Sequence, residues 1–134
     1  MTSMKSAGPP LTREALPALG RATPGLDLLL LHGSRARGTA HVGSDWDLGF
    51  LGDHRLDVVT LLAAMVETLH DDRIYLADLA AAGGLLRYRV ARDGELLFES
   101  RAGRGDEFRL EAVGFWCDAQ PVLQPGYQSV LNRT

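Results

Sequence analysis

The stretch Leu31-His32-Gly33-Ser34-Arg35-Ala36-Arg37-Gly38, followed after a short loop by Ser44-Asp45-Trp46-Asp47-Leu48, decides the reading of this chain. The run Leu26 to Leu31 is apolar apart from one Asp and is bounded by Pro24-Gly25 and Gly33, which predicts a buried strand. A second strand is expected over Asp45 to Leu51, entered from the polar turn Val42-Gly43-Ser44. Side chains two apart on an extended strand share a face, so Asp45 and Asp47 project together while Trp46 points to the other side. Two carboxylates held that close repel unless a cation neutralises them. Oxygen-only donor sets suit Mg²⁺, which usually shares its shell with substrate phosphates. Asp45 and Asp47 are therefore the candidate metal ligands and catalytic acids, and the expected ligand is a nucleoside triphosphate with its metal.

The turn before them has matching chemistry. Gly33 lets the backbone pass close to a phosphate, and Ser34 can donate a hydroxyl hydrogen bond and start a helix whose free N–H groups attract anions. Arg35 and Arg37 add guanidinium groups suited to charge-assisted bonds with phosphate oxygens, and the pattern leaves open which of them faces the site. Gly33, Ser34, Arg35 and Arg37 are thus the candidate nucleotide-binding residues. The segment is not a Walker A loop, because Thr39-Ala40 stands where Lys and Ser or Thr are required. No G-x-S-x-G elbow surrounds Ser34. His32, His41, His54, His70 and Cys117 lack zinc-ligand spacing. His32 and His41 flank the site but read as packing or surface residues.

Outward from this segment, residues 1–25 form a loose leader and a short helix over Leu11 to Leu19, interrupted by Pro17 and ending near Gly20. Val58, Leu62, Met65 and Leu69 fall at helical spacing, so Leu56 to Leu69 is an amphipathic helix that Asp53 or Asp57 caps. Ile74 to Leu79 is a third strand, Leu85 to Ala91 a short helix, and Glu95 to Phe98 a strand after the Asp93-Gly94 turn. A last helix spans Asp106 to Gln120, where Pro121 kinks or stops it, with a weaker continuation to Leu131. Phe115 and Trp116 on it read as core. Residues 26–100 form the core of the domain, and 101–134 a helical extension of it. Strands alternating with helices around one sheet give an α/β or α+β class, with the strand order left open.

Composition bounds the function. The 134 residues suffice for one domain, and 46% hydrophobic with 23% charged residues is an ordinary globular balance. A formal net charge of −3 gives no surplus for grasping a nucleic-acid backbone. One cysteine excludes an internal disulfide, no signal-peptide core or membrane-length apolar run is seen, and a cytoplasmic, membrane-free protein is expected.

Gly33-Ser34, ten residues, then Asp45-Trp46-Asp47 resembles the signature of the nucleotidyltransferase superfamily related to DNA polymerase β. The segment Gly33 to Ala40, together with the size, is more closely similar to the minimal nucleotidyltransferases, the antitoxin halves of HEPN–MNT toxin–antitoxin pairs. The likeness covers roughly residues 26–100, through Leu79 and Leu86-Arg87-Tyr88 to Leu97-Phe98-Glu99. It implies a nucleotidyltransferase fold with a small mixed β-sheet flanked by helices, Mg²⁺ as cofactor, ATP as substrate, and transfer of AMP to a tyrosine of a partner HEPN ribonuclease. A homo-oligomer is compatible with it.

One position departs from the pattern. The superfamily places a third carboxylate on a later strand, and in Ile74-Tyr75-Leu76-Ala77-Asp78 that position holds Tyr75. Asp78, the third candidate catalytic acid, has the opposite parity and can substitute only through a bulge or at the strand's end. Because the third acid helps activate the attacking hydroxyl, its loss weakens catalysis more than nucleotide binding. Two alternatives follow: an antitoxin that neutralises its partner by binding alone, and a transferase for a small molecule such as an aminoglycoside. The second needs a substrate pocket that a chain of this size supplies only as a homodimer.

Overall fold

The computed structural model describes residues 14–39 and 44–133, with side chains described as far as Ala119. The expected leader, the first residues of the first helix and His41 lie outside this range. Helix α1 (Leu16–Arg21) has Pro17 in its first turn. Proline is tolerated there because its missing N–H is among those the first turn of a helix leaves unpaired. Strand β1 (Leu26–His32) leads into the one-turn helix α2 (Gly33–Arg37). Strand β2 (Trp46–Gly52) begins one residue later than the alternation predicts, leaving Asp45 just ahead of it. Helix α3 (Val58–Leu69) follows, capped by Asp57, whose Oδ1 accepts from the Thr60 N–H at 3.2 Å. The other candidate cap, Asp53, instead pairs with Arg55 at 2.9 Å.

Strand β3 (Ile74–Asp78), helix α4 (Gly84–Asp93), strand β4 (Glu95–Glu99) and the long helix α5 (Arg104–Arg133) complete the chain. The backbone of α5 stays helical beyond Pro121, further than the predicted Asp106–Gln120 span. The four strands form one mixed sheet in the order β3-β2-β1-β4. β1 is antiparallel to both β2 and β4, whereas β3 runs parallel to β2, and α3 supplies the crossover that a parallel pair requires.

The apolar run Leu28 to Leu31 of β1 follows from its place in the middle of a sheet covered on both faces. Leu29 and Leu31 face one core with Trp46, Leu48 and Phe50, under Leu16 of α1 and Leu61, Met65 and Leu69 of α3. Leu28 and Leu30 face the other, with Leu51, Leu79, Val90 and Phe108, under α4 and α5. Leu26 shares the face of Leu29 despite its parity because the register shifts between Leu26 and Leu28. Phe115, read from sequence as core, is 62% exposed, since α5 buries Phe108 and Ala112 and turns this position outward. Trp116 is half-buried and stacks on Tyr88 of α4, ring centroids 5.5 Å apart.

A polar clasp ties the start of α5 to β1. Arg104 Nε donates to Asp27 Oδ2 at 2.6 Å, and the Ser100 hydroxyl donates to Asp27 Oδ1. Burial pushes the Asp27 carboxyl up, but the Ser100 hydrogen bond and the Arg104 guanidinium outweigh it and hold the group below the usual carboxylate range. A depressed carboxyl contributes stability above its unfolded pKa and loses it as pH falls through the folded value. Asp27→Asn is therefore expected to lower stability at neutral pH by about 1–2 kcal/mol and to flatten the acid limb of the stability curve, measured by urea unfolding between pH 7 and pH 3. Leu48→Ala, which empties a fully buried position on the strand that carries Asp47, is expected to cost about 2–5 kcal/mol in the same assay.

Candidate active site

The site is built where β1 ends and β2 begins, two antiparallel neighbours whose register sets His32 opposite Asp47. At Gly33 the backbone takes φ +73°, a conformation that L side chains rarely adopt, and this sharp exit turns the chain from β1 into α2. A Cβ at this position would overlap Asp47 Oδ2, so the Asp47 carboxylate fills the space that the glycine leaves empty. The glycine thus serves the conformation of the turn and the seating of the acid together. Asp47 is half-buried, and Asp45, exposed, stands two residues before it at the mouth of the strand.

Two contacts hold the head of β2 in place. The Trp46 N–H donates to the Arg73 carbonyl at 2.9 Å, and the indole is buried in the core under the Arg35 guanidinium, 4.0 Å from the ring centroid. Arg35 Nη2 also donates to the Ser44 carbonyl at 2.9 Å. The two arginines that the sequence left equivalent are therefore distinct: Arg35 braces Ser44 and Trp46 at the head of β2, while Arg37 opens into a cleft. Ser34 is half-buried in α2, and its carbonyl accepts from the Thr39 N–H at 3.0 Å, closing the helix at Gly38.

That cleft, of about 470 Å³, lies between the Gly33 turn and α4. His32, Gly33 and Arg37 line one side, and Leu86, Arg89, Arg92 and Asp93 the other. Burial lowers the His32 imidazole below its ordinary pKa; the Asp47 charge and a hydrogen bond with the Leu48 backbone oppose this, and Arg37 reinforces it. Its Nε2 is buried and has no hydrogen-bond partner among the described residues. Sequence reading passed over Arg89 and Arg92. The signal was present in their spacing of three, which puts them on one face of a helix.

Tyr75 and Asp78 fall in different places. The parallel register sets Tyr75 directly beside Asp47, so His32, Asp47 and Tyr75 lie in a row across β1, β2 and β3. Tyr75 is 62% exposed. Asp78 pairs with Phe50, three residues further along and on the opposite face of the sheet, and its Oδ1 accepts from the Ala80 N–H at 2.9 Å in a turn. The structure brings Asp47 against Gly33 and Arg37 into the cleft that opens on Gly33, with Ser34 and Asp45 next to them in the chain, and leaves Asp78 apart. The bulge that would realign it is absent from the β2–β3 ladder. Among the described residues, no three His, Cys, Asp or Glu side chains converge as a metal site. Two carboxylates nevertheless fit Mg²⁺, which is commonly held by one or two acids plus substrate phosphates and water.

The chain belongs to the polymerase beta nucleotidyltransferase family, whose pattern matches residues 17–102. The resemblance to the minimal nucleotidyltransferases holds with it. The chain is 30% identical over 102 residues to the protein adenylyltransferase MntA of Aphanizomenon flos-aquae, covering 67% of this chain and 68% of that protein. It is 29% identical over 114 residues to the MntA of Shewanella oneidensis, covering 83% and 81%. A crystal structure of a toxin–antitoxin with AMP-PNP aligns with TM-score 0.71 and 26% identity over 89% of this chain and 98% of that one. The tri-AMPylated Shewanella oneidensis HEPN toxin in complex with its MNT antitoxin aligns with TM-score 0.67 over 91% and 98%, at 23% identity, a likeness of fold.

Because Gly33 combines positive φ with the missing Cβ, Gly33→Ala is expected to destabilise the protein by about 1–3 kcal/mol, seen as a lower urea midpoint, and to displace Asp47. The urea midpoint should fall far more for Gly33→Ala than for Gly38→Ala. Gly38 also has positive φ, but no atom within 4 Å of an added Cβ.

Proposed function

We propose that this chain is a Mg²⁺-dependent protein adenylyltransferase that acts as an antitoxin, transferring AMP from ATP to a tyrosine of a HEPN-type toxin. The observation that carries the reading is the seating of Asp47 against the Gly33 turn, beside a basic cleft of nucleotide size. The MntA relatives, themselves named protein adenylyltransferases, and the likeness to toxin–antitoxin complexes support it.

In this reading Asp45 and Asp47 hold the metal, which when bound supplies positive charge to the phosphates of ATP. The Gly33-Ser34 turn lets the triphosphate approach the backbone, with the Ser34 hydroxyl as a donor, and Arg37 offsets phosphate charge from the cleft side. Arg35 acts through the loop, keeping Trp46 and hence both acids in position. The toxin hydroxyl oxygen forms a bond to the α-phosphorus. The bond from that phosphorus to the bridging oxygen breaks, pyrophosphate leaves with the electron pair, and the hydroxyl proton passes to solvent. Asp78 stays in its turn and outside the reaction.

A second reading is neutralisation by binding alone, and Tyr75 beside Asp47 favours it: a neutral phenol there gives no carboxylate to orient or deprotonate the attacking hydroxyl. Incubation with labelled ATP, Mg²⁺ and the purified toxin partner separates the two. Label on the toxin that disappears in Asp45→Asn and Asp47→Asn is the expected result, and toxin inhibition without label supports masking. If the phenol limits the chemistry, Tyr75→Asp should raise the labelling rate by about tenfold or more.

A further inference from the structure

Arg37 and Arg89 have no hydrogen bond or ion pair among the described residues, although both feel the charge of Asp93. Arg92 is paired with that same Asp93, Nη2 to Oδ2 at 2.8 Å and Nε to Oδ1 at 2.9 Å. Three guanidiniums therefore share one carboxylate around a cleft that opens onto Gly33. The other charged cleft, near Gly25 and Gly52, differs in this respect. Its Arg55 is tied to Asp53 at 2.9 Å and its Arg101 to Glu107 at 2.7 Å, so it carries no comparable uncompensated charge.

Helix α4 divides its side chains between two tasks. Val90 and Ala91 are buried in the core, and Arg87 donates to the Leu79 carbonyl and lies over the Phe108 ring. Arg89 and Arg92, three apart, line the cleft together with Leu86. Planar guanidiniums match phosphate oxygens in pairs, and like charges gathered in a concave surface are costly until an anion neutralises them. The lining has a single apolar side chain, Leu86, which is little for a base to pack on.

We infer that Arg89 and Arg92 of α4, with Arg37 of α2, form a clamp for the β- and γ-phosphates of the nucleotide. The inference rests on the nucleotidyltransferase reading above and adds two residues to it. The clamp holds the pyrophosphate end of ATP from the α4 side, opposite the Gly33-Ser34 turn, while the acids address the α-phosphate. Asp93 restrains Arg92 when no nucleotide is present, so its removal acts in the opposite direction to removal of an arginine.

The test is calorimetric titration of the purified chain with magnesium-ATP, inorganic pyrophosphate and AMP, at two ionic strengths. Arg89→Ala and Arg92→Ala are expected to weaken ATP and pyrophosphate by about tenfold each, the size of one charge-assisted hydrogen bond, and to leave AMP unchanged. Asp93→Asn should bind ATP at least as tightly as the parent chain, and the salt dependence should be shallower in both arginine variants. All three positions are on the surface of α4, and thermal melts confirm folding. ATP affinity unchanged in both arginine variants, or lowered equally for ATP and AMP, overturns the clamp while the parent reading stands. A parent chain that binds neither ATP nor pyrophosphate overturns both.

Discussion

The close approach of the Asp47 carboxylate to the backbone of Gly33 is the constraint on which the site depends. It requires an antiparallel register that sets His32 against Asp47, a residue without Cβ at the exit of β1, and a positive φ that turns the chain away at once. Each requirement removes alternatives. Shifting β2 by one residue would send Asp47 to the opposite face and put Trp46 or Leu48 in its place. Any side chain at position 33 would displace the acid. The register is in turn pinned by burial, because Leu48 and Phe50 must face the core of α1 and α3 for Asp47 to lie against Gly33.

The second structural idea is the separation of two arginines one position apart. Arg35 spends its charge on the Trp46 ring and the Ser44 carbonyl, which fixes the loop delivering Asp45 to the mouth of β2. Arg37 has no such commitment and joins the basic wall contributed by α4. A change at Arg35 would therefore act on the acids through the backbone, whereas one at Arg37 would alter the lining of the cleft. The row His32, Asp47, Tyr75 across three strands places a neutral phenol beside the half-buried acid. In the proposed reading, metal and nucleotide binding draw on the two acids and the turn, so this exchange bears on hydroxyl activation rather than on binding.

Much of this was legible in the chain. The continuous leucines of β1, the glycine and serine after them and the acids two apart at β2 are local patterns, and local patterns decide element type. What was not legible depended on distant partners. Phe115 is exposed because α5 turns its buried stripe toward Phe108 and Ala112. The β2–β3 register pairs Asp78 with Phe50, on the face away from Asp47, a placement set by the neighbouring strand.

By itself the sequence determined the strands, the turn that joins the site to the sheet, the two acids and the gap in the acid set at Tyr75, since each follows from spacing along one stretch of chain. Only the tertiary structure decided the strand order, which arginine lines the cleft, and that Arg89 and Arg92, more than fifty residues after the turn, form its opposite wall. The physical reason is that periodicity reports which side chains share a face of one element, whereas a cleft is made between elements, and their packing across a sheet is not written in the spacing of either.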